Sequence, residues 1–330
     1  MPQASAKQVL VRTRKVARLA WSVLAYALAV ILWGAYVRAS GAGAGCGRHW
    51  PSCNGEIVPR APRVATLIEY SHRVSSAGVL VATVVLAVVA LRAYPLRHRV
   101  GVAALATVAL TIAEAAIGAG LVLFGLVARD ESLTRALSMS LHLMNTFLLL
   151  AAAALTAWWA SGGAAPRLRG QRAVWLALAG PLVAMFAVGA SGAVAALGDT
   201  LFPAPSLAAG FAQDLSAGSH LFVRLRAVHP MLAMVTAGAI VVGSGFVRAV
   251  RPSAAVRAWS RAATALATLQ VCAGLLDVVT RAPTAMQIVH LFLADAVWLS
   301  LVLTAAAALA ESPAAQKTGG PGVLRPSASG

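Results

Sequence analysis

The chain has 330 residues, of which 59% are hydrophobic and 11% charged, with a mean hydropathy of +0.79. Soluble domains carry roughly 25% charged residues, so the composition excludes a soluble enzyme. Lysine and arginine number 27 against 10 acidic residues, a formal charge of +17, but the basic residues lie between long apolar runs rather than on one polar face, which argues against nucleic acid as a partner. Three cysteines without a CxxC pair exclude a disulfide-rich secreted scaffold or a zinc ribbon.

A membrane-spanning helix needs about 20 apolar residues. Eight runs qualify, near 17–38, 67–91, 101–125, 136–160, 173–197, 221–247, 259–280 and 285–310. The expected fold is all-α and integral to the membrane, with eight spans arranged as two pseudo-symmetric four-helix bundles. The first run follows Lys7, Arg12, Arg14, Lys15 and Arg18, as in a signal peptide, but Ala20 to Val37 is long enough to span and be retained. Residues 1–16 read as a basic cytoplasmic N-terminus and 17–160 as the first bundle. A Gly-, Pro- and Arg-rich linker, 161–172, precedes the second bundle at 173–310. The tail 311–330 reads as disordered. Four spans per half give both halves one orientation, so any internal duplication is a parallel repeat about the membrane normal.

Basic residues near helix ends favour the cytoplasmic side. With the N-terminus inside, the inner segments hold Arg92, Arg97, Arg99, Arg167, Arg169, Arg172, Arg248, Arg251, Arg257, Arg261, Lys317 and Arg325, while Glu56, Asp130, Glu131, Asp199 and Asp214 fall outside. Both termini are then cytoplasmic, and the expected location is a bacterial plasma membrane. Arg38, Arg48, Arg60, Arg63, Arg129, Arg135, Arg224, Arg226 and Arg281 break the rule. They either pair with loop acids and headgroups or mark an anionic partner, for which Arg224 and Arg226 are the best placed.

Four of seven histidines lie inside the spans: His72, His142, His229 and His290, in the second, fourth, sixth and eighth. Each sits about five to nine residues inward from the outer side, or roughly 7–13 Å at 1.5 Å per residue. One such histidine would read as a hydrogen-bonded core residue. Four at matching depth, one pair per half, read as two bis-histidine sites, and imidazoles in apolar surroundings suit haem iron better than a hard metal. No helix carries two of these ligands far apart, as a transmembrane electron wire would need. His49, His98 and His220 fall at edges or in loops and read as solvated.

The halves differ. Glu69 lies one turn before His72 and could accept protons, or simply pair with Arg73 at i+4. Arg226 holds the matching place before His229, where it could meet a haem propionate. Chemistry is therefore expected in the first half and a permanently held haem in the second. The loop 39–66 carries Cys46 and Cys53 on the outer side, able to form a disulfide that is either a staple or redox-active. Cys272 reads as a buried core residue. Glu114, Asn145, Asp277 and Asp295 are further polar groups within spans.

Gly34-Ala35-Tyr36-Val37-Arg38-Ala39-Ser40-Gly41, followed by Gly45-Cys46-Gly47-Arg48-His49-Trp50-Pro51-Ser52-Cys53-Asn54-Gly55, resembles the first outer loop of the heme A synthases. Glu69-Tyr70-Ser71-His72-Arg73, His142-Leu143-Met144-Asn145, Leu269-Gln270-Val271-Cys272-Ala273-Gly274 and His290-Leu291-Phe292 resemble further motifs of that family, and the likeness covers about residues 17–310. The resemblance implies oxidation of the C8 methyl of heme O to a formyl group for haem-copper oxidases. It implies that His72 and His142 flank the substrate haem, that His229 and His290 hold heme b, that Glu69 accepts protons, and that Cys46 and Cys53 form a loop disulfide. A heme O synthase is the implied supplier. A haem-copper oxidase or its assembly factors would be the recipient, and membrane lipid the surroundings; the electron partner is unidentified. Two departures stand out: Pro230 follows the third histidine where arginine is expected, and Glu114 stands where glutamine is expected. Rival readings are a bis-haem electron-transfer cytochrome, a membrane thiol oxidoreductase using Cys46 and Cys53, and a transporter.

Overall fold

The computed structural model describes residues 6–167 and 169–311, with side chains from Val11 onward. The disordered tail expected beyond Glu311, with Lys317 and Arg325, lies outside the described residues, as does the side chain of Lys7.

Ten α-helices account for the described chain, with no strands among them. They are α1 (Ala6–Ala39), α2 (Val64–Ala93), α3 (Arg99–Leu123), α4 (Leu133–Ala160), α5 (Arg172–Leu201), α6 (Leu207–Leu215), α7 (Leu221–Arg226), α8 (Val228–Val250), α9 (Ala254–Val279) and α10 (Thr284–Ala310). Eight stretches are long and apolar enough to cross a membrane, α7 and α8 together forming the sixth. The expected spans are all present, most of them longer than the apolar run alone indicates. The sixth is not the continuous helix expected: it breaks at Ala227 and restarts at Val228. The restart places Pro230 in a first turn, where its missing amide has no helical acceptor to lose. The short helix α6 in the preceding loop is a further element that hydropathy does not show.

Side chains define several helix starts. Ser132, Ser206 and Ser253 accept the amides of Arg135, Ala209 and Val256 at 3.2, 3.2 and 3.3 Å. His98 and His220 cap α3 and α7 in the same way, each Nδ1 accepting an amide two residues on at 3.3 Å. These two are caps rather than the freely solvated side chains expected, and His220 also stacks on Phe202 with ring centres 4.8 Å apart. Gly125, at φ +71°, ends α3, and the amide of Leu126 returns to Leu121 O at 2.8 Å.

Helices touch in the closed order α1, α2, α3, α4 and again in the order α5, α8, α9, α10, while α4 meets α5 and α10, and α1 meets α10. The core lies where these groups join. Phe147 of α4 stacks on Trp298 of α10 at 5.1 Å, Phe186 of α5 packs edge-on against Trp298 at 5.3 Å, and the indole donates to Phe147 O at 2.6 Å. Within α5, Pro181 leaves Ala177 O without its helical donor, and Gly243 of α8 fits against that carbonyl where a side chain would clash. Near the C-terminal end of α1, Arg38 donates to Ala196 O and Thr200 Oγ1 of α5 at 3.2 and 3.1 Å, and to Gln287 Oε1 of α10 at 2.8 Å.

Candidate functional site

The four intramembrane histidines stand on α2, α4, α8 and α10, each half-buried. His229 and His290 face one another with ring centres 6.3 Å apart and planes at 81°. Two imidazoles on opposite sides of one ion, each bond about 2 Å long, put ring centres roughly 6 Å apart. His72 and His142 stand on α2 and α4 of the other group of helices.

Each ring lies over a glycine on the preceding span of its half. A Cβ built on Gly34 would stand 2.8 Å from His72 Cε1, on Gly192 3.0 Å from His229 Cε1, and on Gly274 2.9 Å from His290 Cε1. Gly118 is looser, 3.9 Å from His142. The pairing of glycine and histidine thus occurs four times along the chain, twice in each half. The Nδ1 atoms of His72, His142 and His290 are buried without a hydrogen-bond partner, whereas His229 Nδ1 meets Ser191 Oγ at 3.1 Å. Among the described residues no group of three or more His, Cys, Asp or Glu could hold a metal ion. Each site offers two imidazoles in glycine-made space, a donor set that fits haem, whose porphyrin supplies the remaining ligands. One contact must change for that fit: Gln270 Nε2 lies 3.1 Å from His290 Nε2, and coordination through that nitrogen displaces the amide.

Glu69 is 3% exposed, and both its oxygens are engaged. Oε1 pairs with the guanidinium of Arg73 at 2.5 Å, and Oε2 accepts the Cys46 amide at 2.8 Å. The i+4 pairing is therefore realised. Arg73 also donates to His49 O and Ser52 O at 2.6 and 2.7 Å, and Thr66 Oγ1 donates to Gly45 O at 2.8 Å. Together these contacts fasten the loop between α1 and α2 over the start of α2. Cys46 and Cys53 form a disulfide, both fully buried. Burial shields this bond from thiols in solution, which favours the staple over the redox-active pair.

Arg226 is held by carboxylates: Asp199 Oδ1 accepts from Nη1 at 2.8 Å, and Asp214 Oδ1 from Nη2 and Nε at 2.6 and 2.9 Å. Glu114, which has no histidine on its own helix, reaches across to α4, where its Oε1 lies 3.2 Å from His142 Nδ1. That contact depends on the rotation of α3 against α4, and sequence spacing carries no signal for it. Ser191 escaped notice for the same reason. Asp295 is fully buried with neither oxygen hydrogen-bonded. Cys272 is exposed on α9 rather than buried in the core, a correction to the expected placement.

Fold and site together define a helical membrane protein with paired histidines in its spans. The model of the COX15-CtaA family, described as cytochrome oxidase assembly protein, matches residues 17–302, and the chain belongs to that family. A protoheme IX farnesyltransferase from Thermus thermophilus is 49% identical over 296 residues, 89% of this chain but 48% of that protein. A heme A synthase from Alkalihalophilus pseudofirmus is 41% identical over 98 residues, 30% of this chain and 33% of the relative. Another from Halalkalibacterium halodurans is 38% identical over 96 residues, 29% and 32% of the two chains. The chain thus spans about half the length of the farnesyltransferase that it matches.

Proposed function

We propose that the chain is a heme A synthase, oxidising the C8 methyl of heme O through the alcohol to the formyl group that haem-copper oxidases require. The observation that carries this reading is the doubled arrangement of histidine over glycine, one pair of imidazoles in each half. Family membership and the heme A synthases among the relatives support it.

In this reading residues 17–160 and 173–310 form two pseudo-symmetric bundles joined by the linker 161–172. His72 and His142 flank the substrate haem, and His229 and His290 hold heme b. When bound, heme b relays electrons. Glu69 takes the protons released at the oxidised methyl. Its Oε2 accepts only the Cys46 amide and keeps a lone pair for a proton, so the loop that Glu69 docks also tunes this base. Ser191 orients His229, and the apolar walls keep water from the site. Arg226 reaches a propionate only if it keeps a free donor beside Asp199 and Asp214. The spans lie in a bacterial plasma membrane with both termini cytoplasmic, as the basic residues of the inner loops favour.

The farnesyltransferase relative is about twice as long as the stretch it shares with this chain. A segment like this one within a protein named for farnesylating protoheme supports a heme O synthase as supplier. The product would pass to a haem-copper oxidase or its assembly factors. The engagement of both Glu69 oxygens favours one alternative, a bis-haem electron-transfer cytochrome in which Glu69 only secures the loop. Haem analysis of the purified chain tests the haem reading. Two haems per chain are expected, one lost with His72→Ala or His142→Ala and the other with His229→Ala or His290→Ala; a haem-free protein contradicts it.

A further inference from the structure

Glu114 is fixed by α4 rather than by its own helix. Thr146 Oγ1 donates to its Oε1 at 2.6 Å, and Asn145 Nδ2 donates to its Oε2 while also reaching Leu110 O at 3.0 Å. So held, Oε1 lies 3.2 Å from His142 Nδ1, within ion-pair reach but not aligned as a hydrogen bond. The other three histidines have no such neighbour: His229 Nδ1 meets a hydroxyl, and the Nδ1 atoms of His72 and His290 meet no partner.

We infer that Glu114 is a positioning residue that takes the Nδ1–H of His142, leaving Nε2 to hold a haem iron in the first half and making His142 the more basic of the two imidazoles there. The inference rests on the proposed haem reading. A ligating histidine that donates its second N–H to a carboxylate is fixed in one tautomer and becomes a more basic ligand. A more basic axial ligand favours the ferric state and lowers the reduction potential. The two haems are thereby set apart by a single cross-helix contact, since in the second half His229 Nδ1 meets a hydroxyl and His290 Nδ1 no partner, where the first half has a carboxylate. Asn145 and Thr146, which follow His142 on α4, give the carboxylate its two anchors.

The test is a potentiometric titration of the haem-loaded protein, with His142→Ala identifying the component that belongs to the first half. E114Q keeps a carbonyl for the Nδ1–H but removes the charge. It is expected to retain haem, raise the potential of that component and leave the other unchanged. T146V, which removes one anchor and leaves the carboxylate, is expected to raise it less, and E114A to retain less first-half haem than E114Q. An unchanged potential in E114Q at full haem content overturns the inference; if E114Q does not accumulate, an unchanged potential in T146V does so. A wild-type protein with no haem component sensitive to His142→Ala overturns the haem reading itself, a result distinct from either.

Discussion

The carboxylate of Glu69 and the guanidinium of Arg73 form one joint between α2 and the loop that joins it to α1, with Glu69 accepting the Cys46 amide and Arg73 holding the carbonyls of His49 and Ser52. The residue proposed as the base, one turn before His72, is therefore also the residue that docks the loop. The two roles separate by substitution.

Glu69→Gln keeps an acceptor for the Cys46 amide and loses the charge. Bound haem is expected to stay near the wild-type amount while product formation stops or halts at the alcohol, read by mass analysis of extracted haems. Arg73→Ala breaks a buried pair, at a cost of about 3 kcal/mol, and is expected to speed proteolysis within residues 54–62.

Replacing both Cys46 and Cys53 with serine removes a short-loop staple worth about 2 kcal/mol. Faster amide exchange is expected across 44–56, with haem content and activity retained. Loss of activity with an unaltered loop would instead indicate a redox role for the pair.

The glycine contacts predict a graded series. Gly34→Ala, Gly192→Ala and Gly274→Ala place a methyl 2.8–3.0 Å from a histidine ring and are expected to displace it, with loss of the haem on that side. Gly118→Ala, at 3.9 Å, is expected to be tolerated. Haem content per chain across the four variants checks the order.

His98 caps α3 only while its Nδ1 is unprotonated, and burial together with Arg99 holds its pKa below 6.5. A histidine whose folded pKa is lowered contributes stability above the unfolded value, and that contribution falls away as pH drops below about 6.5. His98→Ala is expected to cost about 1 kcal/mol at pH 8 and less at pH 5, read from thermal unfolding in detergent at the two pH values.

Hydropathy alone placed all eight spans, because a hydrocarbon core demands a length and a composition that few other structures meet. Matching depth paired the four histidines by half, since 1.5 Å per residue converts sequence position directly into height. Rotation about a helix axis has no such ruler. The contact between Glu114 and His142 and the glycine under each ring were therefore invisible, although Gly34 and Gly274 lie inside the motifs that revealed the family. Cys272 shows the same limit from the other side: an apolar residue satisfies lipid as well as core, so hydrophobicity could not say which it faces. The break at Ala227 was masked because 221–250 as a whole is apolar enough to read as one span, though Pro230 marked its neighbourhood. Caps at His98 and His220 were missed because histidine is not among the residues favoured there.

Co-expression of the chain with a heme O synthase in a host lacking heme A, followed by mass analysis of the extracted haems, tests the central claim most directly. Heme A, or its hydroxylated intermediate, is expected only when the chain is present, with loss of product in Glu69→Gln. Bound heme b beside unmodified heme O, in a host that supplies a redox partner, would contradict it and leave an electron carrier in its place.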